Sequence, residues 1–222
     1  MNEEIRAVIY DMDGVLVNSE PLINAAAIAM YKEMGLIVQP TDFLPFVGAG
    51  EDRYIGGVAE KYHFPLDLAA AKRRTYEIYL DLVPSRLEPF PGAYELVCAC
   101  HNAGLRVAVA SSSDQIKVRA NLEKIGLPFT FWDMVVTGEQ VQHKKPAPDI
   151  FLSAAQNLNL KPEECVVVED AVNGIQAAKA AGMRCVAVAT TFSAERLQEA
   201  DVVREAISKV KLSELAPQLT DM

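Results

Sequence analysis

Two acidic side chains near the start of the chain form the first pattern with a chemical use. Asp11 and Asp13 follow a short apolar run, and Gly14 comes directly after them. A tight loop of this kind points both carboxylates at one site, where one can act as nucleophile or metal ligand and the other as general acid and base. An acidic turn held by its own backbone hydrogen bonds gives the same pattern, so the pair alone leaves both interpretations open.

Two later segments carry groups that can bind phosphate. Ser111, Ser112 and Ser113 precede a helical pattern, so hydroxyls and free backbone N–H groups meet where the helix dipole favours an anion. Lys144 and Lys145 stand in a proline-rich loop that can hold one ammonium over a phosphate oxygen. The alternatives are a plain helix cap and a solvated basic loop, and charge alone does not say which lysine points inward.

A second pair of acids, Glu169 and Asp170, directly follows the apolar run Cys165–Val168. Acidic groups at the end of a buried strand are costly unless they are paired or bound to a cation. Hard oxygen ligands without strict geometric demands suit Mg2+. The alternative is an N-cap for the helix that follows.

Short apolar runs separated by helical patterns position these groups. Each run is continuous and rich in β-branched residues, as in strands covered on both faces of a parallel sheet. Alternation of strand and helix with short connections predicts an α/β fold with a doubly wound parallel sheet. The predicted strands are Arg6–Tyr10, Leu105–Ala110, Trp132–Thr137, Cys165–Val168 and Cys185–Ala189, and the helices between them are Tyr94–Ala103, Gln115–Ile125, Asp149–Leu158 and Gly174–Ala181.

The four chemical patterns share one place in this fold. They lie at the carboxyl ends of four of the five predicted strands. In open α/β sheets, ligands bind in the crevice beyond those strand ends. We therefore expect the acids, the serines and one lysine to meet in a single site.

Residues 18–88 break the alternation of strands and helices. No convincing strand occurs there, and a proline-rich, turn-like stretch from Val83 to Gly92 follows the helical patterns. We expect an all-helical cap domain at 18–88, inserted into an α/β core formed by 1–17 and 89–222. The predicted cap helices are Asn24–Gly35, Glu51–Tyr62 and Leu68–Leu82.

The composition of the 222 residues excludes several classes of protein. Half of the residues are hydrophobic and 23% are charged, which excludes a disordered or fibrous chain. The net charge of −9 argues against nucleic acid or an anionic membrane surface as a partner. No apolar run approaches the roughly 20 residues that span a bilayer.

The four cysteines predict the compartment. Cys98 and Cys100 form a C-x-C pair, which lacks the C-x-x-C spacing of zinc sites, and Cys165 and Cys185 stand alone. This usage is typical of reduced thiols in a cytoplasmic protein. We expect a cytoplasmic monomer.

The motifs together resemble a known family. DMDGVL, the serine after the second strand, KKPAPD and EDAVNG occur in the order and spacing of the haloacid dehalogenase superfamily. The chain is most similar to the branch that contains β-phosphoglucomutase and small sugar-phosphate phosphatases, and the resemblance covers the whole chain, helical cap included. It implies a Rossmann-like core and a Mg2+-dependent phosphatase. Its partner is expected to be a small phosphorylated metabolite, a phosphate monoester of a sugar.

The resemblance also implies a role for each matching residue. Asp11 would attack phosphorus and become an aspartyl phosphate. Asp13 would protonate the leaving oxygen and then activate water. Ser111 and Lys145 would bind the non-bridging oxygens of the phosphoryl group, with Ser112 beside them. Lys145 is assigned rather than Lys144 because the family's lysine directly precedes the first proline of its loop.

The same resemblance implies a metal site. Asp170, the carboxylate of Asp11 and the backbone carbonyl of Asp13 would coordinate Mg2+, with Glu169 close to the ion or acting through water. Positive charge is needed here, because attack by a carboxylate on a phosphate dianion brings two anions together.

The cap would choose the substrate. Glu20, Asn24, Glu51 and Arg53 are the cap residues that we expect near the core loops, although each is also typical of a solvated surface. Arg53 stands out because an arginine can hold a second anionic group.

The alternative function is that of a β-phosphoglucomutase-like hexose phosphate mutase. That resemblance would place a histidine about twelve residues beyond the nucleophile and an arginine ahead of the acids in the cap loop. This chain has Ile23 at the first position and has Arg53 after Glu51 and Asp52. Both departures favour a phosphatase.

Other classes fit the sequence less well. A dehalogenase needs neither a second aspartate nor a metal, so Asp13, Glu169 and Asp170 argue against it. A signalling receiver domain has about half this length and carries its phospho-acceptor after the third strand, where this chain has Thr137-Gly-Glu139. A catalytically silent scaffold is disfavoured because every expected catalytic position is filled.

Overall fold

A computed structural model describes residues 4–219 of the chain. Six parallel strands form one sheet in the order β3-β2-β1-β4-β5-β6. This arrangement confirms the predicted doubly wound α/β fold. The strands are β1 Ala7–Tyr10, β2 Arg106–Ser111, β3 Met134–Thr137, β4 Cys165–Glu169, β5 Arg184–Val188 and β6 Val202–Arg204.

Strand β1 lies in the middle of the sheet and is buried on both faces. Ala7 is opposite Arg106 of β2 on one side and Cys165 of β4 on the other. Ala7 and Ile9 pack on one face of the sheet, and the intervening side chains of β1 pack on the other. A short strand with apolar residues at every position is the pattern that burial on two faces requires.

Helices cover both faces of the sheet. Helices α6 and α7 pack on the face of Ala7 and Ile9, and α4, α5 and the cap pack on the opposite face. No helix among residues 4–219 is long and apolar enough to cross a membrane. The helices are α1 Glu20–Glu33, α2 Glu51–Lys61, α3 Leu68–Arg86, α4 Ala93–Asn102, α5 Gln115–Lys124, α6 Asp149–Asn157, α7 Val172–Ala180 and α8 Leu212–Leu215.

Several elements differ from the sequence prediction, and one of them is α1, which begins at Glu20 rather than at Asn24. Strand β6 was not predicted, because it has three half-buried residues at the sheet edge and too little pattern to detect. Helix α3 continues past Pro84, where a turn was predicted. The Leu87 N–H still donates to the Val83 carbonyl over 3.2 Å, so the last turn of the helix stays closed.

The segments that enter and leave the cap pair with each other. Val17 and Pro89 form an antiparallel bridge. On either side of that bridge, the Asn18 N–H donates to the Glu88 carbonyl and the Phe90 N–H donates to the Leu16 carbonyl, each over 3.0 Å. These contacts support our proposal that the cap comprises residues 18–88.

The cap docks on the core through polar contacts between α3 and α5. The Tyr79 hydroxyl donates to the side-chain carbonyl of Asn121 over 2.7 Å. The Lys72 ammonium lies 2.7 Å from Asp52 of the cap and 2.8 Å from Asp114, which precedes α5. The docked cap covers the carboxyl ends of β1, β2 and β4.

Candidate active site

A cleft of about 360 Å3 lies between the carboxyl edge of the sheet and the cap. Its volume falls in the range of roughly 300–1,000 Å3 that is typical of small-molecule sites. The core side of the cleft carries acids and two lysines, and the cap side carries acids and apolar groups. The side chains on its wall that matter below are Asp11, Asp13, Glu20, Ile23, Glu51, Tyr54, Ser112, Ser113, Lys117, Lys145, Glu169 and Asp170.

The loop after β1 brings Asp11 and Asp13 to the cleft. The Leu16 N–H donates to the Met12 carbonyl over 2.9 Å, which folds the chain back on itself. Gly14 has φ +86°, and a Cβ atom there would overlap the Asp170 carboxylate. Glycine is therefore needed both for the backbone conformation and for the close approach of Asp170.

Lys145 joins two of the predicted acids. Its ammonium lies 2.5 Å from Oδ1 of Asp11 and 2.7 Å from Oε1 of Glu169, and it also donates to the Ala110 carbonyl over 3.3 Å. Lys144 points elsewhere and donates to the Ser112 carbonyl over 3.3 Å. Of the two neighbouring lysines, Lys145 is the one that reaches the acids.

Glu169 uses both of its carboxylate oxygens within the protein. Oε1 accepts from Lys145, and Oε2 accepts from the N–H groups of Asp170 and Ala171 over 2.8 and 2.9 Å. A Cβ atom at Gly174 would overlap this carboxylate. Glu169 therefore holds the loop after β4 together, and the carboxylates of Asp11 and Asp170 remain as acids on the cleft wall.

Crowding of these carboxylates changes their acidity. Burial raises the pKa of Asp11 to about 7; Lys145 acts in the opposite direction, and the carboxylates of Glu169 and Asp13 add to the rise. Burial also raises the pKa of Asp170 well above its usual value, and Glu169 and Asp11 add to that effect. In both cases burial is the largest cause of the raised pKa, and the neighbouring carboxylates add to it.

Asp13 lies in a separate network of donors. Ser113 donates to its Oδ2 over 2.8 Å, the Lys117 ammonium lies 3.1 Å from its Oδ1, and the Ser19 hydroxyl donates to Oδ1 as well. Burial acts to raise the pKa of Asp13, but Lys117 and the hydrogen bonds from Ser19 and Ser113 outweigh it and lower the pKa below its usual value.

Lys117 is the site residue that the sequence analysis missed. It is buried, and its ammonium bridges Asp13 of the core and Glu51 of the cap, at 3.1 and 3.4 Å. One signal was available: Lys117 and Asn121 are polar residues on the face of α5 that also carries Val118. Polar groups on a buried helix face need partners, which marks them as candidates.

Two of the three serines line the cleft, and the third supports the loop that carries them. Ser111 is buried at the end of β2, and its Oγ accepts from the Ser113 N–H over 3.2 Å. Ser112 and Ser113 line the cleft. Within residues 4–219, the buried hydroxyl of Ser112 has no hydrogen-bond partner.

The cap candidates are only partly brought to the cleft. Glu20 lines it and accepts from the Tyr54 hydroxyl over 2.9 Å. Asn24 lies behind this pair and donates to the same hydroxyl over 3.0 Å. Arg53 does not reach the cleft, because it points to the outer side of α2, where its 51% exposed side chain pairs with Glu60 at 2.6 Å. The expectation that Arg53 holds a second anionic group is therefore not supported by its position.

Comparison with known proteins identifies the class of this fold and site. Residues 5–182 match the haloacid dehalogenase-like hydrolase family, so the chain belongs to that family. This confirms the resemblance that the motifs predicted.

Two relatives are similar in sequence to most of this chain. The fructose-1-phosphate phosphatase of Escherichia coli is 35% identical over 85% of this chain and 98% of its own length. The chloroplastic protein SUPPRESSOR OF QUENCHING 1 of Arabidopsis thaliana is 49% identical over 96% of this chain, but the chain spans only 21% of that much longer protein.

Solved structures share the complete architecture. The protein CbbY from Rhodobacter sphaeroides, solved with phosphate, superposes with a TM-score of 0.86 at 28% identity, covering 95% of this chain and 99% of its own. A β-phosphoglucomutase from Clostridium difficile has a TM-score of 0.82 at 24% identity, covering 94% of both chains, which shows a shared fold.

Proposed function

We propose that this chain is a phosphatase that hydrolyses a small sugar phosphate monoester through an aspartyl-phosphate intermediate, with Mg2+ as cofactor. The observation that carries the proposal is the convergence of Asp11, Asp13, Lys145 and Asp170 on one buried cleft under a cap. Membership of a hydrolase family and relatives named as phosphatases support it.

The reaction would take place in two half-reactions on Asp11. In the first, a carboxylate oxygen of Asp11 forms a bond to phosphorus while the bond to the ester oxygen breaks, and Asp13 gives that oxygen a proton. Asp13 must carry this proton when substrate is bound, whereas its surroundings in this structure favour the ionised form that the second half-reaction needs. In the second, Asp13 takes a proton from water as the water oxygen attacks phosphorus, which releases inorganic phosphate and restores the Asp11 carboxylate. Splitting the hydrolysis through a covalent intermediate lowers each barrier.

The phosphoryl oxygens need donors and positive charge. Lys145 would supply charge, and the free hydroxyl of Ser112 would supply a donor. Ser111 would contribute through the loop that it supports, since its Oγ already accepts from Ser113.

The carboxylate oxygens at this end of the cleft fit Mg2+. Asp11 and Asp170 are buried carboxylates on the cleft wall, and a cation between them would stabilise the ionised forms that burial disfavours. Within residues 4–219, no three acidic, histidine or cysteine side chains form a complete metal centre. Mg2+ suits such a partial set, because it keeps several waters and binds through one or two carboxylates and substrate phosphate.

Asp11, Asp170 and the carbonyl of Asp13 would hold the ion, and Glu169 would position Lys145 and the loop after β4. When bound, Mg2+ supplies positive charge that lowers the repulsion between the Asp11 carboxylate and the phosphate.

A mutase function is less well supported. Transfer of a phosphoryl group between two sugar hydroxyls needs a group that moves a proton near the second hydroxyl. Ile23, at the position where the mutase resemblance expects a histidine, is a buried apolar residue on the cleft wall. The relative from Escherichia coli compared above is named as a phosphatase of fructose 1-phosphate, which favours sugar phosphates as substrates of hydrolysis. The cytoplasmic location and the monomeric state stay predictions.

The proposal is tested by phosphate release from a panel of sugar phosphates in the presence of Mg2+. Asp11→Asn should lower release by at least about 10³-fold because the nucleophile is lost, and chelation of Mg2+ with EDTA should stop release by the wild type. Asp81→Asn, an exposed acid on α3, is the matched control and should behave like the wild type. Substantial release by Asp11→Asn would contradict the assignment of the nucleophile.

A further inference from the structure

Strand β5 is the predicted strand whose carboxyl end carried no chemical pattern in the sequence. The acids, the serines and Lys145 follow the other predicted strands, whereas Ala189, Thr190 and Thr191 follow β5. In the structure, both threonines line the cleft together with the acids. Their hydroxyls therefore belong to the surroundings of the site, although the sequence analysis did not select them.

Thr190 bonds to the loop that carries Asp11 and Asp13. Its hydroxyl donates to the Gly14 carbonyl, and the Gly14 N–H donates to the Val17 carbonyl over 3.0 Å. That N–H shares one planar peptide group with the Asp13 carbonyl. The two hydrogen bonds at Gly14 therefore fix the direction in which the Asp13 carbonyl points.

Thr191 bonds to the loop after β4. Its hydroxyl forms a hydrogen bond with the Asp170 carboxylate, which is buried. A Cβ atom at Gly14 would lie 2.8 Å from the Thr191 hydroxyl oxygen and would overlap Asp170, so the three residues meet at one point. Thr191 itself is exposed on the cleft wall, so its side chain contributes little to the packing of the core.

These contacts involve two of the groups that would hold Mg2+, the Asp13 carbonyl and the Asp170 carboxylate. Hydrogen bonds from residues outside the ligand set orient metal ligands, and their loss typically lowers metal affinity by about 10- to 100-fold. A hydroxyl donates a single proton, so a carboxylate that accepts it keeps further lone pairs for a cation.

We propose that Thr190 and Thr191 are positioning residues that hold the Asp13 carbonyl and the Asp170 carboxylate in the orientation that binds Mg2+. This inference rests on the proposed function, which includes Mg2+ as cofactor. It adds the carboxyl end of β5 to the four strand ends that the sequence identified.

The test measures Mg2+ binding without substrate, as the rise of Tm with increasing MgCl2, which yields an apparent Kd. Thr191→Val keeps the shape of the side chain and removes the hydroxyl, so it should raise the Kd about tenfold. Thr190→Val should raise it several-fold, and Thr191→Ser, which keeps the hydroxyl, should bind like the wild type.

Ser193→Ala is the matched control. Ser193 is an exposed residue of the same loop, and its hydroxyl bonds to Glu195 rather than to the loops after β1 and β4. This variant should bind Mg2+ like the wild type. Asp170→Asn shows where the ion binds, because it should remove most of the response of Tm to MgCl2.

The outcomes separate the inference from the proposed function. A wild-type Kd in Thr191→Val, or an increase that Thr191→Ser shares, would overturn the inference and leave the phosphatase proposal intact. A wild-type response of Asp170→Asn would place the ion elsewhere and would also overturn it. A wild type whose Tm does not respond to MgCl2 would overturn the proposed cofactor and the inference with it, whereas the nucleophile is tested separately by Asp11-dependent phosphate release.

Discussion

At the scale of single residues, two identical neighbours have different surroundings. Lys145 is buried between Asp11 and Glu169, and Lys144 donates to a backbone carbonyl at the edge of the cap. Their sequence context is the same proline-rich loop, so residue type could not distinguish them. Only the resemblance to a family motif selected Lys145, and its role in binding phosphate stays a prediction.

Substitution of each lysine tests this difference. Lys145→Ala should lower kcat by about 10²–10³-fold, the usual loss when a group that stabilises developing charge is removed. Lys144→Ala should change kcat by no more than a few-fold. The measurement is phosphate release from a sugar monophosphate at saturating substrate, and a larger loss for Lys144→Ala would move the predicted register of the loop by one residue.

Gly14 allows a second test, because the chain offers a matched glycine. Gly14 and Gly35 both have φ +86°, but an added Cβ would overlap Asp170 at Gly14 and would meet open space at Gly35. Alanine at either position should cost about 1–2 kcal/mol of stability from the left-handed conformation. Only Gly14→Ala should also lower phosphatase activity, by tenfold or more. Equal activity of the two variants in assays paired with thermal melting would show that Asp170 needs no such close contact.

One geometric rule led us to expect that acids and one lysine meet at this candidate site. Asp11, Lys145 and Asp170 are far apart in the chain, but the carboxyl ends of parallel strands meet at one edge. Lys117 escaped prediction because its significance depends on Glu51, which reaches it only when the cap is docked. Arg53 was expected near the cleft because charge was considered without the direction that α2 gives its side chain.

At the scale of elements, the buried strands and most helices were predictable from the sequence. The short strand at the sheet edge and a 3-10 segment of the cap were not. The five predicted strands correspond to β1–β5 with ends displaced by no more than two residues, since each is a continuous apolar run. The short strand β6 depends on pairing with β5 rather than on its own pattern. The 3-10 segment Pro40–Phe46 likewise depends on contacts that residue types do not reveal.

Asp42 fixes that 3-10 segment to the end of α2. It accepts from the Gln39 N–H, the Lys61 ammonium and the Tyr62 hydroxyl, at 2.7, 2.6 and 2.6 Å. The hydrogen bonds from Lys61, Tyr62 and Gln39 lower the pKa of Asp42 from the usual 3.8 to about 2. Its ionised form is therefore the one that stabilises the cap.

This pKa shift predicts how stability depends on pH. The folded state holds Asp42 ionised more strongly than the unfolded state, so its contribution is complete above about pH 4 and is lost as the pH falls towards 2. Asp42→Asn should reduce the free energy of unfolding by about 1–3 kcal/mol at pH 7. Denaturant unfolding of variant and wild type at pH 7 and pH 3 checks this, and a difference that does not shrink at pH 3 would contradict it.

At the scale of the whole molecule, the cap supplies the cation that a buried acid of the core needs. Lys72 lies between Asp52 of the cap and Asp114 of the core, and Asp114 is buried. Burial acts to lower the pKa of Lys72, but the two carboxylates outweigh it and raise the pKa above the usual value. Residue types alone gave no reason to pair these three groups.

Removal of the Lys72 ammonium should weaken the packing of the cap on the core. Lys72→Met leaves Asp114 without its cation, so hydrogen exchange in α3 and in the first turn of α5 should become faster. The KM for a sugar monophosphate should rise several-fold, while para-nitrophenyl phosphate, which makes no polyol contacts, should be affected less. Arg74→Met is the control: Arg74 is also on α3, and its substitution removes an exposed ion pair with Glu33 of α1. Unchanged exchange in Lys72→Met would show that apolar packing alone holds the cap.

The central position of β1 has a consequence for the order in which the protein is made. This strand is synthesised before both of its partners, which begin at Arg106 and Cys165. The helices of the cap have most of their contacts among themselves, so they can assemble on the ribosome while β1 still has no neighbour. The growing chain can therefore complete the cap before the candidate site beneath it exists, because Asp11 gains all of its neighbours only when the strand that ends at Glu169 has emerged.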